Sequence, residues 1–173
     1  MNIVLLGYRG TGKSTIARIL SKRLHRRLFS LDVMIAKAAD LSIRKIVEQH
    51  GWSRFREIEA EQAQAVAKTY HNAVVDCGGG IILNPENIQA LKQSGRVVWL
   101  TTSFDEIVKR TQGDPNRPPI KEGVTFEEEL REVLTEREPL YRVASDLVCD
   151  TSKTPANETV SAIIRFFRNK CWI

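Results

Sequence analysis

A chain of 173 residues, 42% hydrophobic and 27% charged, has the length of one domain and the composition of a globular protein. No apolar run reaches the length of a membrane span, and Cys77, Cys149 and Cys171 are odd in number and widely spaced, which excludes a disulfide framework or a Cys-x-x-Cys zinc site. The net charge of +5 is dispersed, without aromatic residues interleaved, so small anionic ligands are expected rather than nucleic acid or a membrane.

Asn2–Leu6 reads as a buried strand that enters the fold without a basic-then-apolar leader, so a cytoplasmic protein is expected. Gly7-Tyr8-Arg9-Gly10-Thr11-Gly12-Lys13-Ser14 follows at once and fits G-x-x-x-x-G-K-[ST]. An amphipathic helix with Ile16, Ile19 and Leu20 on one face starts at the lysine. Glycines there let successive backbone N–H groups converge on phosphate oxygens, and the helix N-terminus adds partial positive charge. Gly10, Thr11, Gly12, Lys13, Ser14 and Thr15 are the candidate cradle for ATP. Lys13 would reach the β- and γ-phosphates, and the Ser14 hydroxyl would ligate Mg²⁺. The plainer alternative, an ordinary glycine-rich turn, does not explain why the string lies between a strand and a helix.

Further strands are expected at Leu28–Leu31, Ala73–Cys77, Arg96–Thr101 and Asp146–Asp150. Helical patterns separate them, with capping-box starts at Ser103-x-x-Glu106 and Thr125-x-x-Glu128 and a Thr154-Pro155 start before the last helix. This alternation predicts a three-layer α/β fold around a parallel sheet. Ligands of such sheets bind at the carboxyl ends of the strands, so residues just after each strand are the ones to inspect.

Asp32 follows the second strand, where a carboxylate can accept a proton or hydrogen bond from a substrate hydroxyl; an N-cap is the competing role. Gly78-Gly79-Gly80 follows the third strand and removes every side chain from a ligand's path, unless it is a plain turn. A helix is expected over roughly Ser53 to Tyr70, and Arg56 and Glu59 share one face of it. That pair is either an exposed ion pair or a fork held rigid for a carboxylate ligand. Arg110 and the Gly/Pro-rich stretch around Arg117 suggest a loop that closes over phosphates. Arg137-Glu138-Pro139-Leu140-Tyr141 puts a proline where it should break a helix, and the residues alone favour a solvent-facing Arg137.

Taken together, the Gly7–Ser14 loop, Asp32, Phe55-Arg56-x-x-Glu59, the triple glycine, Arg117-Pro118 and Arg137-x-Pro-Leu-Tyr141 resemble the shikimate kinase family over nearly the whole chain. The resemblance implies a single P-loop kinase domain over residues 1–173, with a five-stranded parallel sheet in the order 2-3-1-4-5. It also implies a substrate-binding helical region over about 32–71 and a lid over about 111–125. The implied reaction is transfer of the ATP γ-phosphoryl group to the 3-hydroxyl of shikimate in aromatic amino-acid biosynthesis. Lys13, Asp32 and Arg117 would be catalytic, with Arg110 and Lys153 beside the nucleotide. Asp32, Arg56, Glu59, Gly78, Gly79, Gly80 and Arg137 would surround shikimate, and a monomer is expected.

Two departures accompany the likeness. Ser30 stands where the family has the first aspartate of D-x-D, which supports Mg²⁺ through water. Ser14 and Ser30 are then the metal-side candidates, and weaker Mg²⁺ affinity than in a Ser30→Asp variant is expected. Trp52 stands where a glutamate is usual, with no role assigned by the sequence. Cys77 reads as a small buried hydrophobe and as a candidate target of thiol reagents. The competing functions are another small-molecule P-loop kinase, for gluconate or a nucleoside monophosphate, and a nucleotide-binding module without catalysis.

Overall fold

Strands β1 (Asn2–Leu6), β2 (Arg27–Ser30), β3 (Ala73–Asp76), β4 (Gly95–Thr101) and β5 (Leu147–Asp150) form one parallel sheet in the order β2-β3-β1-β4-β5. Parallel neighbours need a crossover, so helices fill the intervals: α1 (Lys13–Leu24), α2 (Leu31–Ala39), α3 (Ile43–Thr69), α4 (Pro85–Ser94), α5 (Phe104–Thr111), α6 (Phe126–Ala144) and α7 (Ala156–Asn169). The structure, a computed structural model, describes residues 1–111 and 125–173. Arg117 and nearly all of the expected lid lie outside the described residues.

Side chains alternate across the sheet and divide the core into two layers. Val4 and Leu6 join Val75, Val97 and Trp99 under α3, α4 and α6, where Ala63, Val66, Leu91 and Tyr141 complete the packing. Ile3 and Leu5 join Val74, Val98 and Leu100 against Ile16 and Leu20 of α1 and Ile163 and Phe167 of α7. Burial on both faces explains the unbroken apolar runs of β1 and β4. None of the described helices is long and apolar enough to cross a membrane.

Every strand begins and ends within one residue of the sequence expectation; the helices hold the surprises. The long helix starts at Ile43, capped by the Ser42 hydroxyl, and turns a corner at Gly51, whose φ of 77° and ψ of 171° lie outside the helical region. Pro139 does not break α6, which runs from Phe126 to Ala144. Val133, Arg137, Tyr141 and Ala144 are buried on both sides of the proline, and their packing outweighs one missing backbone hydrogen bond. Helix α7 starts one residue later than Thr154-Pro155 suggested: Pro155 itself holds the cap position, with no side-chain cap. The Thr125 capping box is complete. The Ser103 one is half made, because Ser103 accepts from the Glu106 amide while the Glu106 carboxylate pairs with Arg110 at 2.8 Å.

At the amino ends of the strands, the fully buried Asn2 ties three elements together. Its amide donates to the Tyr70 carbonyl at 2.7 Å and accepts from the Ala73 amide at 2.9 Å, with a longer bond to the Ser94 hydroxyl. Asn2→Ala leaves two buried backbone groups unpaired, at roughly 1–3 kcal/mol each. Urea unfolding should show a loss of about 2–6 kcal/mol, with ligand affinity at the opposite edge of the sheet unchanged. A stable variant would show that these bonds do not hold the elements together.

Candidate active site

Between β1 and α1 the chain wraps into a cradle because its glycines take backbone angles closed to other residues. Gly12, at φ 84°, caps α1, and a Cβ on Gly7 would overlap the Leu100 carbonyl oxygen. The Thr11 hydroxyl turns inward to the Tyr8 carbonyl at 2.7 Å, so it braces the loop and leaves Gly10, Gly12, Lys13, Ser14 and Thr15 to line the pocket. Lys13 Nζ donates to the Tyr8 carbonyl at 2.8 Å. Arg110 reaches across from α5 to donate to the carbonyls of Gly10 at 3.1 Å and Thr151 at 3.2 Å, and it lines the same pocket. Lys153 is exposed and lines neither this pocket nor its neighbour.

Next to the cradle is a second pocket, bounded by Arg56, Glu59, Arg137, the triple glycine, Tyr8, Phe55 and Trp52. Glu59 is 1% exposed and is paired with the Arg56 guanidinium through a short hydrogen bond. The acid of this pair is buried and the guanidinium is partly exposed, unlike the fully exposed pair that spacing alone allowed. Burial raises the Glu59 pKa above the ordinary carboxylate value, although Arg56 pulls the other way. Arg56 fits because Gly80 has no side chain: a Cβ there would overlap the guanidinium. Phe55 and Trp52 flank the cation, with ring centroids 5.0 and 5.5 Å from it. Arg137 is 5% exposed rather than solvent-facing. It donates to the Gly79 carbonyl at 3.4 Å, and the Tyr141 hydroxyl donates to the same carbonyl through a short hydrogen bond, while the buried Arg137 Nε has no partner among the described residues. Two guanidinium groups in a half-apolar pocket suit a small carboxylate ligand.

Asp32 lines both pockets, as do Arg9, Gly78 and Gly79. It lies in the first turn of α2, and Ser30 occupies the cap position without a side-chain bond, so capping does not explain Asp32. A Cβ on Gly78 would meet the Asp32 carboxylate at 3.0 Å and that of Glu59 at 3.2 Å, so glycine is what lets both acids approach the strand end. Among the described residues no three His, Cys, Asp or Glu side chains could hold a metal by themselves. The Ser14 hydroxyl, at the edge of a pocket that also contains Asp32 and Asp76, fits a Mg²⁺ ion that arrives with phosphate oxygens and water.

Three contributors were given no role from the sequence. Arg9, at a variable position of the loop motif, is gripped by the buried Glu129 of α6 at 3.3 Å and stacks over Phe126. Asp76 is a buried acid on the wall of the phosphate pocket; its place at a strand end was the available signal. Trp52 stands one helical turn before Arg56, a spacing that puts the two side by side. Cys77 is fully buried, and burial drives its thiol pKa well above normal, with Asp76 and Glu59 adding to the effect. It packs in the core as a small hydrophobe while also lining the phosphate pocket, and a raised thiol pKa lowers its reactivity.

A family model described as shikimate kinase matches residues 9–168. The chain is 40% identical to a shikimate kinase of Geobacter sulfurreducens, over 96% of this chain and 91% of that one, and 38% identical to one of Syntrophus aciditrophicus, over 98% and 92%. Its backbone superposes on the shikimate kinase of Acinetobacter baumannii in complex with shikimate with a TM-score of 0.91. That match has 32% identity and covers 98% of this chain and 93% of the other.

Proposed function

The chain belongs to the shikimate kinase family, and on that premise we propose that it transfers the γ-phosphoryl group of ATP to the 3-hydroxyl of shikimate, yielding shikimate 3-phosphate and ADP. The observation that carries the reading for this chain is Asp32, which among the described residues is the acid common to a phosphate cradle and a pocket with two guanidinium groups. Phosphoryl transfer needs little covalent chemistry from the protein; positioning and charge stabilisation do most of it.

In this reading the cradle amides and Lys13 hold the ATP phosphates, and Lys13 meets the charge that grows on the transferred group. Arg56 and Arg137 hold the shikimate carboxylate. Glu59 fixes the Arg56 fork, and the glycine carbonyls and amides leave room for the ring. The acceptor hydroxyl then faces Asp32, which orients it and takes its proton. Ser14 would hold Mg²⁺, which when bound neutralises phosphate charge. Arg110 would border the adenine, and Arg117 would add a further positive charge over the phosphates. Gluconate and nucleoside monophosphates, which also carry anionic groups that arginines could hold, are disfavoured as acceptors because the family likeness to shikimate kinases runs over nearly the whole chain.

ADP release measured with MgATP and each of shikimate, gluconate and a nucleoside monophosphate should occur with shikimate alone. Arg56→Ala should raise its KM at least about tenfold, the loss expected for a charged hydrogen bond worth roughly 1.5–3 kcal/mol. Turnover of gluconate or a nucleotide in place of shikimate would refute the assignment.

Glu59 also predicts a pH dependence. Its raised pKa means that acidification protonates it above the usual carboxylate range. Arg56 then loses its charged partner. kcat/KM for shikimate should therefore fall with falling pH, on an acid limb lying above the ordinary glutamate range. Glu59→Gln should flatten that limb and lower kcat/KM at neutral pH. An unchanged limb in the variant would assign it to another group.

A further inference from the structure

Among the described residues Asp32 and Asp76 are the acids that line the phosphate pocket, and Asp32 also lines the pocket proposed for the acceptor. Asp76 lines the phosphate side only. It ends β3, where the backbone registers Asp76 against Leu5 of β1 on one side and against Ser30 of β2 on the other. In-register residues of neighbouring parallel strands project to the same face, about 4.8 Å apart. Ser30 therefore lacks a carboxylate at the end of an outer strand, and Asp76 supplies one on the next strand inward, beside the strand that feeds the phosphate loop. Ser30 itself lines neither pocket.

We propose that Asp76 is the outer carboxylate of the Mg²⁺–nucleotide site in this chain, anchoring the metal's water shell at the β3 end in place of a carboxylate at position 30. Magnesium keeps several waters and is held by one or two carboxylates plus phosphate oxygens. A buried acid on the wall of the pocket that Ser14 also lines meets that need without direct coordination. Its charge is also compatible with burial here, since Lys13 borders the same pocket. The weaker Mg²⁺ affinity expected from Ser30 alone then emerges only when Asp76 is neutralised as well.

The inference rests on the nucleotide-kinase reading, and the test separates the two. Calorimetric titration of Mn²⁺ into the full-length protein saturated with ADP gives the metal affinity; ADP titration in EDTA gives the metal-free nucleotide affinity. Asp76→Asn should weaken Mn²⁺ binding at least about tenfold, as loss of an outer-shell metal partner does, while leaving metal-free ADP affinity intact or improved. Ser30→Asp in the Asp76→Asn background should return Mn²⁺ affinity to within about threefold of wild type. The rescue also guards against misfolding, since a collapsed site would not recover. Equal Mn²⁺ affinity in wild type and Asp76→Asn overturns the proposal, as does a parallel loss with and without metal. Failure of the wild-type protein to bind ADP at all would instead sink the kinase reading.

Discussion

Negative charge has to be balanced inside one narrow cleft, and most of the site follows from that constraint. The proposed ligands are a triphosphate and a carboxylate, and the walls already contain Asp32, Glu59 and Asp76. Arg9, Lys13, Arg56, Arg110 and Arg137 oppose them from the loop, α1, α3, α5 and α6. Unpaired, a carboxylate as buried as Glu59 would be driven to its neutral form. Paired with Arg56, it aims a cation at a ligand. The cost of burying the acid is offset partly by that pairing, and the remainder shows as a raised pKa.

The sheet supplies the geometry. Because all five strands are parallel, the carboxyl ends of β1, β2 and β3 lie along one edge, and the loops after them converge there. Helix α6 then links the two pockets. Tyr141 and Arg137 bond the Gly79 carbonyl from one side, and Glu129, two turns earlier, holds Arg9 in the phosphate loop. The uninterrupted run of α6 through Pro139 matters for this reason: a break there would uncouple Arg137 and Tyr141 from the triple glycine they steady.

Backbone-level features were legible in the sequence because they are local. The glycine loop, the strand runs and the Thr125 capping box each need only a few neighbouring residues. Burial was not legible. Arg56 with Glu59, and Arg137, read as surface groups by spacing, because nothing local reveals that α3 and α6 fold against the triple glycine. The partnership of Arg9 with Glu129 spans 120 residues, and the register of Ser30 beside Asp76 depends on strand order. The family resemblance supplied the roles of Arg56 and Arg137 that spacing could not. It gave no role to Asp76 or Trp52, which the fold places on the pocket walls.

The account turns on Asp32 serving both pockets without being the main anchor of either. Asp32→Asn should keep shikimate and ADP affinities, measured by calorimetry, within a few fold of wild type while kcat falls by about 10²–10⁴, the usual contribution of a positioned general base. Near-normal turnover, or a loss confined to binding of one substrate, would contradict it.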